Sequence, residues 1–145
     1  MNAIKQVFRR LLFGGSKKLR PYERAVADSV VDALADDIAV IAREQLRAFD
    51  FVQRAAHDRV VTFYFSEPIA RFARTDTHVL GSALLRAASG SARAQLIAHG
   101  GRLSSLEFTS PPFSLVKADF SVGSAIAEGS DLGTTSKLDA EEHSG

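Results

Sequence analysis

The chain has 145 residues, of which 46% are hydrophobic and 24% are charged, as in a single compact globular domain. It contains no cysteine, which excludes a disulfide framework, a thiolate nucleophile and cysteine-ligated metal sites. The formal net charge of +1 hides an asymmetry, because residues 1–20 carry only basic charges whereas residues 21–65 are acidic overall. No apolar run approaches the roughly 20 residues of a membrane-spanning helix, and we expect a cytoplasmic protein.

Residues 1–20 are predicted to form a basic amphipathic helix and a linker that ends before Pro21. Apolar residues recur at helical spacing up to Gly14, and the basic residues fall elsewhere on the helical wheel. Such a helix binds an anionic membrane surface, packs on the domain or contacts a protein partner; a cleaved organelle-targeting segment is a further alternative. The predicted membrane or partner contacts are Lys5, Phe8, Arg9, Arg10 and Leu12.

A long amphipathic helix is predicted from Tyr22 to about His57, because this stretch contains neither glycine nor proline. Pro21 suits the first turn of the helix, and Glu23 suits its positive end. A kink or break is expected near the sequence RAFDF, residues 47–51. The predicted apolar stripe consists of Val26, Val30, Ala33, Leu34, Ile38, Ile41, Gln45, Phe49 and Val52.

The sequence after this helix predicts β-structure. Residues 59–68, RVVTFYFSEP, are rich in β-branched and aromatic residues and predict a strand that ends at Pro68. A helical turn is possible at residues 69–73, and residues 78–88 fit a strand better than a helix. Residues 113–122 predict another strand. The domain is therefore assigned to residues 21–122, with a disordered acidic and polar tail at 123–145.

The stretch LIAHGGRLSSLEFTSPP, residues 96–112, predicts a β-hairpin. Two runs with β-like alternation flank a short loop that contains Gly100 and Gly101, residues that readily adopt the positive φ angles of a tight turn. Pro111 and Pro112 then end the second strand. The rival interpretation is a helix from Ser91 to His99 that Gly100 terminates.

No residue pattern identifies a catalytic, metal or cofactor site. The pairs His57–Asp58 and Asp76–His78 could act as a base with an orienting group, but the chain lacks HExxH, GxSxG and phosphate-loop motifs. Arginines between residues 66 and 102 have no accompanying nucleic-acid-binding motif. We therefore predict a non-catalytic protein without a cofactor or a bound metal, and no strong nucleic-acid signal.

An acidic ridge is predicted on the long helix. Asp28, Asp32 and Asp36 are spaced by four residues, Asp37 lies beside them, and no lysine or arginine occurs from Val26 to Ala42. Like charges at this spacing repel one another, whereas a cationic protein surface would be attracted to them. These four aspartates are the predicted partner-binding residues; the alternative is a solvated face that only maintains solubility.

The long acidic helix, followed by the turn and strand HGGRLSSLEFTSPP, resembles small bacterial immunity proteins. The resemblance covers the pattern of residues 91–112 and, elsewhere, only the organisation. It implies a non-catalytic inhibitor that neutralises a toxin domain by binding it, with the acidic face as the contact surface. The basic N-terminal segment departs from that pattern and leaves a membrane-associated role open.

The sequence as a whole predicts an α+β fold in which a long N-terminal helix packs on a small antiparallel sheet of about four strands. The leading functional hypothesis is a protein-binding protein, in particular an immunity-type inhibitor. The second is a peripheral membrane adaptor held by the basic N-terminus. The third is a small ligand-binding or enzymatic domain with a cavity between helix and sheet, lined by Phe63, Phe65 and Phe108.

Overall fold

A computed structural model of the chain describes residues 15–113, 115–116 and 119–128. The predicted N-terminal contacts Lys5, Phe8, Arg9, Arg10 and Leu12 lie outside the described residues. Helices α1 (Pro21–Asp32) and α2 (Asp36–Ala48) come first in the described chain. They are followed by strands β1 (Phe51–Ala55), β2 (Val60–Tyr64), β3 (His78–Ala87), β4 (Gly90–His99), β5 (Arg102–Phe108), β6 (Ser121–Val122) and β7 (Ile126–Ala127).

The strands form one antiparallel sheet in the order β1-β2-β5-β4-β3-β6, and β7 also pairs with β3. The predicted α+β class is confirmed, although the sheet has seven strands in the described part of the chain rather than about four. Because β5 returns to pair with β2, the connection from β2 to β3 must cross the end of β5 and β4. Residues 65–77 make this crossing.

The predicted single long helix is wrong, because the chain folds into two helices and then a strand. Ala33 and Leu34 donate backbone hydrogen bonds to Val30 and Val31, three residues earlier, and this tightens the end of α1. Ala35 is extended, with ψ of 145°, and the acidic residues of the next turn begin α2 at its positively charged end. An apolar stripe with helical spacing does not reveal such a break, because both helices contact the same sheet.

Residues 51–55, which the predicted helix included, pair with β2 as strand β1. Phe51 and Val52 are fully buried there, and the ring of Phe51 stacks on Tyr64 with centroids 4.8 Å apart. Aromatic and β-branched residues favour such cross-strand packing. The expected break near RAFDF therefore corresponds to the end of α2 at Ala48.

The hydrophobic core lies between the two helices and one face of the sheet. Strand β4 shows the pattern most clearly, because its buried residues alternate with exposed or partly exposed ones. On the helices, Val26 and Val30 of α1 and Ala42 and Leu46 of α2 are buried. The buried residues of β4 are Ala92, Ala94, Leu96 and Ala98.

A buried ion pair joins α1 to the sheet and to the segment before it. Glu23 is fully buried and accepts hydrogen bonds from Arg54 at 2.5 and 2.8 Å and from the backbone N–H of Arg20 at 2.7 Å. Ser16 exchanges backbone hydrogen bonds with Val52, and Arg54 also donates to the Lys18 carbonyl. The end of the predicted linker is thus fixed against β1.

The C-terminal part of the described chain differs from the sequence predictions. Among the described residues of the strand predicted over 113–122, only Ser121–Val122 form a strand. Leu115 and Val116 instead donate back to the Pro112 carbonyl in a turn. Strand β7 lies inside the segment predicted to be a disordered tail, and Ala127 is buried. A Cβ atom at Gly81 would come within 2.7 Å of the Ile126 carbonyl, so this glycine permits β7 to approach β3.

Candidate functional site

A cavity of about 720 Å³ lies between α2, residues 72–77, the start of β3 and strand β7. We call it the helix–sheet cavity. Its apolar lining consists of Leu34, Ala35, Ile38, Ile41, Phe72, Ala73, Val79, Leu80 and Ala127, and its polar lining of Asp37, Arg74, Thr77, His78 and Glu128. Cavities of roughly 300–1,000 Å³ with a mostly apolar lining and a few polar groups are typical of small-molecule sites.

The helix α2 contributes one wall because its apolar residues face two directions. Ala42 and Leu46 are buried against the sheet, whereas Ile38 and Ile41 line the cavity. The wide apolar stripe predicted from the sequence therefore includes both core residues and cavity residues. Ile38, which is 36% exposed, is apolar at a position where the core does not require it.

The opposite wall is an irregular segment, residues 72–77, that the β4–β5 turn holds in place. Phe72 donates its backbone N–H to the Gly101 carbonyl at 2.8 Å, and Gly100 donates to the Thr75 carbonyl at 2.8 Å. The Thr77 hydroxyl and Nδ1 of His99 are 2.6 Å apart. The HGG sequence thus forms the predicted hairpin turn, which is confirmed, and it also supports the cavity wall.

Gln45 joins α2 to the residue Ala70, which precedes this segment, and to the β4–β5 turn that supports it. Its Nε2 donates to the Ala70 carbonyl at 2.8 Å and to the Gly101 carbonyl at 3.1 Å, and its Oε1 accepts from the backbone N–H of Leu103 at 2.7 Å. The side chain is fully buried, and such groups are stable only when they are hydrogen-bonded. Gln45 belongs to the predicted apolar stripe, but no hydrogen-bonding role was predicted for its side chain. A lone amide among apolar residues was the signal that could have identified it.

Two lining groups of the cavity are held by Asp76. Arg74 donates to both carboxylate oxygens of Asp76, at 2.6 and 3.0 Å, and these hydrogen bonds lower the pKa of the Asp76 carboxyl and raise that of Arg74. Nδ1 of His78 lies 2.9 Å from the Asp76 carbonyl oxygen. Because a carbonyl can only accept, Nδ1 carries a hydrogen, and in the neutral ring Nε2 is then an acceptor.

The two acidic lining residues are not neutralised by the described part of the chain. Asp37 lies in the first turn of α2, and Glu128 follows β7 and is half-buried. Among the residues that the structure describes, neither carboxylate has an ion-pair partner. Within the described ranges, the two carboxylates of the lining therefore have no compensating cation, while the guanidinium of Arg74 is engaged by Asp76.

The predicted acidic ridge is divided between two helices. Asp28 on α1 pairs with Arg24 at 3.2 Å, and Asp32 pairs across the helix break with Arg43 at 3.0 Å. Asp36 and Asp37 lie in the first turn of α2. The arginines in these pairs lie just outside the window from Val26 to Ala42. The four aspartates do not lie on one helix, and their role as partner-binding residues stays a prediction.

The pocket predicted from Phe63, Phe65 and Phe108 is not the helix–sheet cavity. Phe63 and Phe65 line a separate open cleft of about 210 Å³ together with His99 and Arg102. Phe108 is buried in the core and packs edge-on against Tyr22, with ring centroids 5.9 Å apart. Of the two acid–histidine pairs considered, Asp76–His78 lies at the cavity, whereas the carboxylate of Asp58 pairs with Arg20 at 3.1 Å.

Three findings complete the description of the site. In the described residues, no group of three or more histidine, aspartate or glutamate side chains could hold a metal ion. None of the helices that the structure describes has the length and apolar character needed to cross a membrane. Comparison with protein-family models, with curated proteins and with solved structures gave no match.

Proposed function

We propose that this protein binds a small, mostly apolar molecule in the helix–sheet cavity. The observation that carries the proposal is the cavity of about 720 Å³. Its lining combines a few polar groups with apolar side chains from the α1–α2 connection, α2, residues 72–77, β3 and β7. Burying an apolar molecule stabilises its complex by about 25 cal/mol for each Å² removed from water. The polar groups would orient the molecule rather than supply most of the affinity.

The hydrogen bonds that hold the cavity wall in place support the binding of a small molecule there. Residues 72–77 contain no regular secondary structure, yet the β4–β5 turn holds the segment through two backbone hydrogen bonds, and Gln45 holds the preceding residue Ala70. Because the wall is already ordered before binding, the entropic cost of ordering it does not reduce the affinity for the ligand. Because Thr77 and Arg74 are already hydrogen-bonded to His99 and Asp76, we propose binding rather than catalysis.

The proposal is tested with 1-decanol, a neutral probe with an apolar chain, by calorimetry and by amide chemical shifts. We expect saturable binding with shifts at Ile38, Phe72 and Val79, which line the cavity. Ile38→Trp should narrow the cavity and weaken binding several-fold. Val40→Trp is the matched control, because Val40 is 61% exposed on the same helix and does not line the cavity. Equal affinity in the two variants, or shifts elsewhere, would contradict the proposal.

Protein binding through acidic residues, as in an immunity-type inhibitor, is a second proposal. It is supported by Asp36 and Asp37, which are exposed and have no ion-pair partner among the described residues. A pull-down from native cells should compare Asp36→Lys/Asp37→Lys with Asp28→Lys/Asp32→Lys. One stoichiometric partner that is lost only from the first variant would support the proposal; unchanged partners would count against it.

A further inference from the structure

We infer that the preferred ligand of the helix–sheet cavity carries a cationic, hydrogen-bond-donating head, such as a protonated amine, on an apolar body. This inference rests on the proposed binding function and adds the chemical class of the ligand. It follows from the polar groups of the lining, which are not evenly divided between donors and acceptors. The apolar body follows from the side chains of α2, residues 72–77 and β3 that line most of the cavity.

The acceptor groups are Asp37, Glu128 and His78. The two carboxylates have no ion-pair partner in the described ranges of the chain, and an ionised carboxylate can only accept hydrogen bonds. The Asp76 carbonyl fixes the hydrogen of His78 on Nδ1, so that Nε2 of the neutral ring is an acceptor as well. A protonated amine has several N–H donors and a positive charge, and its chemistry therefore matches these acceptors better than that of a neutral or anionic head.

The guanidinium that would favour an anionic head is occupied. Arg74 is the arginine of the lining, and both carboxylate oxygens of Asp76 accept hydrogen bonds from it. A ligand carboxylate would therefore have to displace Asp76 and would also meet Asp37 and Glu128. Like charges at short distance destabilise a complex, whereas opposite charges stabilise it.

The experiment compares three probes with the same chain, namely decylamine, 1-decanol and decanoate, at pH 7.5 and below their micelle concentrations. Calorimetry on the full chain should rank the amine first, the alcohol second and the carboxylate last. We expect the amine to bind about tenfold more tightly than the alcohol, as for one charge-assisted hydrogen bond. Asp37→Asn and Glu128→Gln should each weaken the binding of the amine more than that of the alcohol, and so reduce that ratio.

Glu44→Gln is the matched control, because Glu44 is an exposed carboxylate on α2 that does not line the cavity. It should preserve the amine-to-alcohol ratio. Equal affinities for the three probes, or a loss of the ratio in the control variant, would overturn the inference while the cavity still binds apolar molecules. A preference for decanoate would overturn it and indicate Arg74 as the head-group partner. Failure of all three probes to bind would instead overturn the proposed function, and this inference with it.

Discussion

The side chain of Gln45 and the backbone of Leu103 are joined by a buried hydrogen bond of 2.7 Å that ties α2 to β5. The same amide also donates to the Ala70 and Gly101 carbonyls, so that one side chain bridges the helix, the cavity wall and the hairpin turn. The Gly101 carbonyl also accepts a hydrogen bond from the backbone N–H of Phe72. The backbone N–H of Leu103 donates to Gln45 Oε1.

Replacing Gln45 with Leu should lower the free energy of unfolding by about 2–4 kcal/mol, because the Leu103 N–H and the Ala70 carbonyl lose their partner. Each buried polar group without a hydrogen bond costs about 1–3 kcal/mol. Gln95→Leu is the control, since Gln95 is exposed on β4. Its effect should stay within about 0.5 kcal/mol in urea unfolding. Similar losses in both variants would mean that the three hydrogen bonds contribute little.

The adjacent glycines of the β4–β5 turn should differ in their tolerance of alanine. Gly100 and Gly101 both have positive φ, 64° and 80°, so alanine costs about 1 kcal/mol or more at either position. A Cβ atom at Gly100 meets nothing within 4 Å, whereas one at Gly101 would lie 3.0 Å from the Phe72 carbonyl and 3.1 Å from Arg71 Cβ.

We therefore expect Gly101→Ala to destabilise the protein more than Gly100→Ala. It should also accelerate hydrogen exchange at the Phe72 amide, because the new methyl group pushes residues 71–72 away from the turn. Unfolding in urea and exchange measured by NMR check the two effects. If both variants lose the same stability and leave the Phe72 amide equally protected from exchange, the close packing of residues 71–72 on Gly101 does not contribute to stability.

Removing one partner of the Glu23–Arg54 pair should lower the free energy of unfolding far more than breaking an exposed ion pair on the same helix. Glu23→Ala leaves the guanidinium of Arg54, whose side chain is 12% exposed, without its carboxylate, and such a loss costs about 3–5 kcal/mol. Asp28→Ala breaks the exposed pair with Arg24 and should cost less than about 1 kcal/mol.

The double variant Glu23→Leu/Arg54→Met separates the charges from the packing. Because no buried charge remains, it should recover much of the stability lost in Glu23→Ala. Urea unfolding of Glu23→Leu, Arg54→Met and the double variant, combined as a double-mutant cycle, gives the coupling energy. A coupling energy near zero would contradict a direct interaction between the two side chains.

Local sequence patterns predicted the parts of the fold that depend on neighbouring residues. The hairpin was predicted because Gly100 and Gly101 fit a tight turn, and residues 78–88 were assigned to a strand rather than a helix, as β3 confirms. Strand β1 was missed because Val52 continues the predicted helical apolar stripe and Phe51 lies next to it. Their burial depends on pairing with β2, a contact that the local pattern does not contain.

The helix–sheet cavity was only partly predictable for the same reason. From the sequence, Asp37 was predicted to bind a partner, and His78 was considered as part of a base–acid pair with Asp76. Glu128 was assigned to the disordered tail, and Arg74 to a group of arginines without a predicted site. These residues come from separate segments that the sheet topology brings together. Residues 72–77 are held by the β4–β5 turn, which is distant in sequence and is itself bonded to Gln45, so no local periodicity marks them.

The turn between β1 and β2 should be stabilised by glycine at one position. Ala56, His57 and Asp58 have φ angles of 55°, 57° and 66°, a conformation that costs L-residues roughly 1–2 kcal/mol each. Asp58 pairs with Arg20, and the Ala56 carbonyl accepts from the Arg59 N–H at 3.2 Å, whereas His57 is exposed. His57→Gly should therefore raise the free energy of unfolding by about 1 kcal/mol.

The control for this prediction is Ser91→Gly at an exposed position of β4. Glycine has no conformational advantage within a regular strand, and its greater freedom in the unfolded chain should lower stability there by about 0.5–1 kcal/mol. The two variants should thus shift the urea midpoint in opposite directions. If His57→Gly also lowers the midpoint, the prediction is wrong, because the imidazole then stabilises the turn by more than its backbone conformation costs.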